Sequence, residues 1–243
     1  MDRVLESTPV AGESGRWGAS RTAALRRAGF AATILLAPLV FVPGTIFNPA
    51  IGGIGAGAVN LAANAAASTL TNQLHIAAYV LESFLLPISV LGMAGLAMRR
   101  SPWLATIGGA LGLIGWLPFS ALAAQDDLTF RMAEMGNGAQ MVALWDRFTT
   151  DGAMMTFLLV YVVSHLVAYV ILPIALCRGG FIPAWAAWAL ALSSPVTVAG
   201  FATRQIAVAG LVICALLIVG SMPVARAVWR GDADRDGDSR SLQ

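Results

Sequence analysis

Charge is scarce in this chain of 243 residues: 12% of them are charged, against about a quarter in ordinary soluble domains. Lysine is absent altogether, so every basic side chain that makes up the formal charge of +2 against the acids is an arginine. We attribute that bias to a GC-rich coding sequence, and no nucleic-acid partner follows from it. Cysteine is nearly absent too. Cys177 and Cys214 form no CxxC pair and have no second pair beside them, which excludes a disulfide framework and leaves both as small core residues. Alternating short segments of the kind a membrane barrel needs are missing as well.

What remains is apolar. Hydrophobic residues make up 58% of the chain and the mean hydropathy is +0.75, a composition solvated by lipid rather than water. Six runs carry it: Ala28 to Phe47, Leu74 to Met98, Trp103 to Ala124, Ala153 to Cys177, Phe181 to Phe201 and Ile206 to Trp229. Each is long enough to cross ~30 Å of hydrocarbon as a helix, and in lipid a helix is the form that satisfies its own backbone. The expected fold is therefore all-α: a polytopic membrane helix bundle with six transmembrane helices over residues 28–229. A polar N-terminal tail, 1–27, and a disordered C-terminal tail, 230–243, flank it. Arg26 and Arg27 stand directly before the first run, as in a start-transfer segment, and no small-x-small cleavage site follows it.

Arginine placement orients the chain. Threading six crossings from an inside N-terminus puts twelve arginines inside and leaves Arg131, Arg147 and Arg204 outside, the asymmetry that retention of positive charge in the cytoplasm produces. Trp103, Trp185, Trp188 and Trp229 then share the inner interface, where amphipathic rings favour the headgroup region. A multi-pass protein of a bacterial-type cytoplasmic membrane, with both ends in the cytoplasm, is the expectation. Of the two long outer loops, 48–73 holds no charge and lies on or dips towards the membrane surface. Its Asn48-Pro49-Ala50 matches the water-channel triplet, which needs two copies, and one is present. The other, 125–152, reads as a solvated cap, with a short amphipathic surface helix as the alternative.

Chemistry concentrates on two helices. His75, Tyr79 and Glu82 sit at i, i+4 and i+7 in the second run; Tyr161, His165 and Tyr169 sit at i, i+4 and i+8 in the fourth. Each trio shares a helix face, and together they hold every tyrosine and histidine of the chain. At ~1.5 Å per residue, Glu82 lies ~12 Å below the outer boundary, His165 ~18 Å below it and His75 near the surface. A carboxyl at that depth is neutral, paired with His165, or facing a wet cavity. Two readings stay open. Either these groups are interhelical hydrogen bonds that hold the bundle, or they form an outward-opening ligand-binding pocket. In the second case Glu82 and His165 at its floor are the candidates for proton exchange, cation binding or acid–base catalysis. The depth gap of ~15 Å between His75 and His165 argues against haem or a shared metal, so no metal and no cofactor is expected.

The stretches His75 to Val80 and His165 to Val170 resemble one another, and each precedes a Leu-Pro-Ile, consistent with a weak parallel repeat. Gly108, Gly112 and Gly115, with Gly92 and Gly95, predict close-packing faces. The acidic run Asp232 to Asp238 has the first half of a calcium loop, but Gln243 stands where the bidentate glutamate belongs. From Leu144 to Trp188, through Leu176-Cys177-Arg178-Gly179-Gly180 and Ile182-Pro183-Ala184-Trp185, the chain resembles a broad bacterial group of multi-span membrane proteins of the domain-of-unknown-function type. That resemblance implies a similar six-span layout and no catalytic residues. The expected partners are the lipid bilayer and a small-molecule or lipid ligand. The leading function is a small permease or small-molecule or cation-binding protein. The alternatives are an intramembrane enzyme acting on a lipid or isoprenoid, and an accessory or sensory membrane subunit.

Overall fold

Continuous apolar runs satisfy their amides in lipid by local hydrogen bonds, and each of the six runs is helical. The computed structural model describes residues 13–49, 54–136, 138–203 and 205–231, without the side chains of 13–20 and 201. Nine helices occur among these residues: α1 (Glu13–Ile46), α2 (Gly57–Ala66), α3 (Thr69–Ala97), α4 (Pro102–Trp116), α5 (Phe119–Glu134), α6 (Ala139–Thr149), α7 (Gly152–Arg178), α8 (Ala184–Thr203) and α9 (Ile206–Arg230). Five stretches, Arg21–Ile46, Thr69–Ala97, Pro102–Glu134, Gly152–Arg178 and Ile206–Arg230, are long and apolar enough to cross a membrane. α8 is a shorter apolar helix of 20 residues, about 30 Å long at the α-helical rise. The chain is an integral-membrane helix bundle.

Two boundaries differ from expectation. α1 begins at Glu13, inside the segment read as a tail. The third run does not end at Ala124: Pro118 interrupts the hydrogen-bond ladder because it has no N–H, yet it keeps helical dihedrals (φ −67°, ψ −13°), and α5 carries the helix on to Glu134. The segment 125–152 is accordingly mostly helical rather than a solvated loop. The acidic run 232–238, Arg204 and Ala50 lie outside the described residues.

Helices α1, α3, α4, α7, α8 and α9 close a ring in chain order. α1 packs on α3, α3 on α4, α4 on α7, α7 on α8, α8 on α9, and α9 returns to α1. Small residues make the closest approaches. A Cβ on Gly108 would stand 2.8 Å from Leu172 Cγ, one on Gly112 2.7 Å from Val90 Cγ1, and one on Gly115 2.5 Å from the backbone nitrogen of His165. α4 is thereby wedged between α3 and α7, as small-residue faces allow in membranes. Gly92 also meets a neighbour, Phe30, but Gly95 has nothing within 4 Å and is not a packing position.

The two ends of the ring differ. At one, Trp103, Trp185, Trp188 and Trp229 are exposed beside Arg99, Arg100, Arg178 and Arg230. Arg100 donates from Nη1 to the carbonyl of Gly179 at 2.6 Å and lies over the Phe181 ring, fastening the α3–α4 turn to the end of α7. At the other end α2, the second half of α5 and α6 pack into a cap with its own core of Leu61, Met132, Ala133 and Trp145. Asp146 of α6 accepts from the first amide of α2, Gly57 N, at 2.7 Å, a helix N-terminus being where a carboxylate is favoured. Trp145 Nε1 donates to Thr129 Oγ1 at 2.8 Å, buried. The two segments expected as outer loops therefore fold against each other.

Candidate functional site: an aromatic-walled cavity in the ring

Because α7 turns 3.6 residues per revolution, Tyr161, His165 and Tyr169 present one stripe, and that stripe faces a cavity of about 270 Å³ inside the capped half of the ring. Tyr79 of α3 and Trp116 of α4 complete its aromatic wall. The opposite wall is built by α1, α8 and α9, including Phe41, Asn48, Ser193 and Thr197. Towards the α8–α9 turn the lining passes to Gln205, Ala207 and Val208, which are exposed, so the cavity reaches the surface there.

Trp116 organises the wall. Its ring centroid lies 4.9 Å from that of His165, 5.5 Å from Tyr161, 5.6 Å from Phe119 and 6.2 Å from Tyr169. Most of these contacts are edge-on, the arrangement the aromatic quadrupole favours. The indole is 4% exposed. Its N–H, though close to the Tyr169 hydroxyl, makes no hydrogen bond in this geometry. A buried donor left without an acceptor calls for an explanation, and the neighbouring Tyr169 hydroxyl is the acceptor in reach of it.

His165 Nδ1 is bonded to the carbonyl of Tyr161. A carbonyl only accepts, so Nδ1 carries a proton, and Nε2 has no hydrogen-bond partner among the described residues. Tyr79 is held from two sides: its ring packs on Gly44, where a Cβ would come within 2.8 Å, and its hydroxyl accepts from Asn48 Nδ2 at 3.5 Å.

The other two expected site residues lie apart from the cavity surface. Glu82 is 0% exposed and neither carboxyl oxygen has a hydrogen-bond partner. The expected pairing with His165 is not made. The carboxyl instead sits behind the aromatic wall, within electrostatic range of Tyr79, Tyr161, Tyr169 and Cys214. His75, expected near the surface, is 2% exposed. The cap covers it, and its two ring nitrogens bond to the Gly44 carbonyl at 2.7 Å and Asp126 Oδ2 at 3.0 Å. His75 and His165, alike in their sequence surroundings, thus do different work.

Sequence reasoning missed Trp116 and the hydroxyl wall of α8. A signal for Trp116 existed: the other span tryptophans stand at run ends, whereas this one lies ~20 Å into its run. Ser193, Ser194 and Thr197 are a hydroxyl cluster inside an apolar run, but each donates to a backbone carbonyl, Ser194 across to Leu166 of α7 at 3.0 Å. Among the described residues no group of three or more His, Cys, Asp or Glu side chains could hold a metal ion. Comparison of the chain with family models, with curated proteins and with solved structures gives no match, so the chemistry of the site rests on its own geometry.

Proposed function

We propose that this membrane protein binds a small organic cation in the ring cavity, as a permease or a binding protein of permease type. The observation that carries this reading is the aromatic wall of Tyr79, Trp116, Tyr161 and Tyr169 around the cavity. Aromatic faces attract alkylammonium groups through their quadrupole, by up to ~2 kcal/mol each when water is excluded. Glu82, buried without a counter-ion, is neutral at rest, and a cation held in the cavity would favour its ionised form. His165 Nε2, which has no hydrogen-bond partner among the described residues, adds one polar contact, which suits a cation that also carries a polar group. The volume, just below the ~300–1,000 Å³ of pockets for drug-sized ligands, suits a small molecule.

We place the cap on the outer face of a cytoplasmic membrane, because the arginine-rich end retains its charge inside; the cavity then opens outwards beside the α8–α9 turn. An acid–base reading of Glu82 and His165 lacks support, since Glu82 is not among the residues lining the cavity. The test is calorimetric titration of the protein in lipid nanodiscs with choline, tetramethylammonium and the neutral isostere 3,3-dimethylbutanol. Saturable binding of the cations, about tenfold tighter than the isostere and lost in Trp116→Leu and Tyr169→Leu, is expected. Equal affinity for the neutral isostere, or no saturable binding, overturns the proposal.

A further inference from the structure

A second cleft of about 270 Å³ lies between α1, α3 and α9 at the arginine-rich end, well away from the aromatic cavity. Arg26, Arg27 and Arg99 contribute three guanidinium groups to it; Phe30, Leu91 and Leu96 make its apolar wall, and no carboxylate lines it among the described residues. The cleft exists because α3 carries glycine there. Gly92 lets the Phe30 ring approach, its would-be Cβ 3.0 Å from Phe30 Cδ1, and Gly95 faces open space. α9 ends at the same place in a left-handed cap, Gly231 (φ 64°). Arg27 rests against that residue, 3.3 Å from where a Cβ would stand, so its charge meets the negative end of the helix dipole.

The surroundings of the cleft are those of a lipid site. Phe84, Ile88 and Leu91 are 64%, 41% and 46% exposed, and they lead to Gly95 at i, i+4, i+7 and i+11 along one face of α3. That apolar strip runs from the middle of the ring to the arginines. Guanidinium groups match phosphate oxygens in a bidentate fork, and basic pockets between helices on the positive-inside face bind anionic headgroups. Arg27 and Arg99 also have interactions of their own within the protein, and a guanidinium, with five N–H donors, can serve more than one acceptor. We infer that this cleft holds the phosphate of one anionic glycerophospholipid, its acyl chains lying along Phe84, Ile88 and Leu91. The site does not depend on the cation-binding cavity.

The experiment is native mass spectrometry and thermal unfolding of the full chain in nonionic micelles, titrated with phosphatidylglycerol, phosphatidylcholine or inorganic phosphate. One phosphatidylglycerol should bind per chain and raise the unfolding temperature, phosphatidylcholine should bind about tenfold more weakly, and inorganic phosphate at the same concentration should do neither. Arg26→Gln and Arg99→Gln, both at exposed positions, should each weaken the lipid about fivefold. Gly95→Leu fills the cleft with every charge retained and should weaken it as well. Full phosphatidylglycerol binding in Gly95→Leu would mean a diffuse basic surface and no site. A shift matched by inorganic phosphate would make the ligand a soluble anion, and equal affinity for phosphatidylcholine would remove the role of the arginines; each of these overturns the inference.

Discussion

His75 joins three helices: from α3 it reaches the carbonyl of Gly44 on α1 at 2.7 Å and the carboxyl of Asp126 on α5 at 3.0 Å. Because the Gly44 carbonyl only accepts, Nδ1 carries a proton, and a second proton lies between Nε2 and Asp126. This one side chain therefore couples the ring to the cap, at the point where α5 leaves the bundle.

Removing it should uncouple them. His75→Ala strands the Gly44 carbonyl and the Asp126 carboxyl, which is 20% exposed, and a buried group left unpaired costs about 1–3 kcal/mol. The expected result is a lower unfolding temperature together with faster hydrogen exchange in α2, α6 and the second half of α5. Exchange in α4 and α7 should stay slow, since their contact runs through Gly108 and Gly115 and not through the cap. Asp126→Asn, which keeps an acceptor, should have a smaller effect. Unchanged exchange in the cap of His75→Ala would show that Leu61, Met132 and Trp145 hold it without help.

Glu82 should trade stability against binding. Its two oxygens lie fully buried without partners, so Glu82→Met, of similar length and without the polar atoms, is expected to stabilise the protein by about 1–3 kcal/mol. The same variant should bind tetramethylammonium more weakly, because the carboxyl that a bound cation would ionise is gone. Thermal unfolding and calorimetry on one preparation read both. A destabilised Glu82→Met that still binds the cation would remove the carboxyl from the site and make it a structural group.

The bundle was readable because lipid leaves an apolar run little choice but a helix, and the stripe Tyr161, His165 and Tyr169 because helical spacing alone aligns it. Rotation was not readable. Depth counting put Glu82 and His165 within a turn of one level, but the i+3 step from Tyr79 to Glu82 turns the carboxyl some 60° away. Tyr79 lines the cavity in consequence and Glu82 does not. The cap was hidden for a different reason: Leu61, Met132 and Trp145 come from segments too short or too polar to be read as core until each supplies the others' apolar surface. Burial of His75 and its bond to Asp126 depend on that assembly, so they were beyond reach as well. Trp116 lies within an apolar run, and no helical spacing ties it to either polar stripe.

Gly115 sets the position of His165. A Cβ there would meet the backbone nitrogen of His165 at 2.5 Å and its Cα at 3.0 Å. Backbone atoms cannot rotate aside as the Leu172 side chain opposite Gly108 can. Gly115→Ala must therefore push α4 from α7, at the overpacking cost of about 1–3 kcal/mol. It must also shift Trp116, the next residue, against the rings of Tyr161 and Tyr169. The expected outcome is a lower unfolding temperature with weakened cation binding, whereas Gly108→Ala should lose less of both and Gly95→Ala, with nothing within 4 Å, should lose neither. Unfolding curves and choline titrations of the three variants decide it: if Gly115→Ala binds choline as the wild type does, the spacing of α4 and α7 does not govern the site, and the recognition elements lie on α8 and α9 instead.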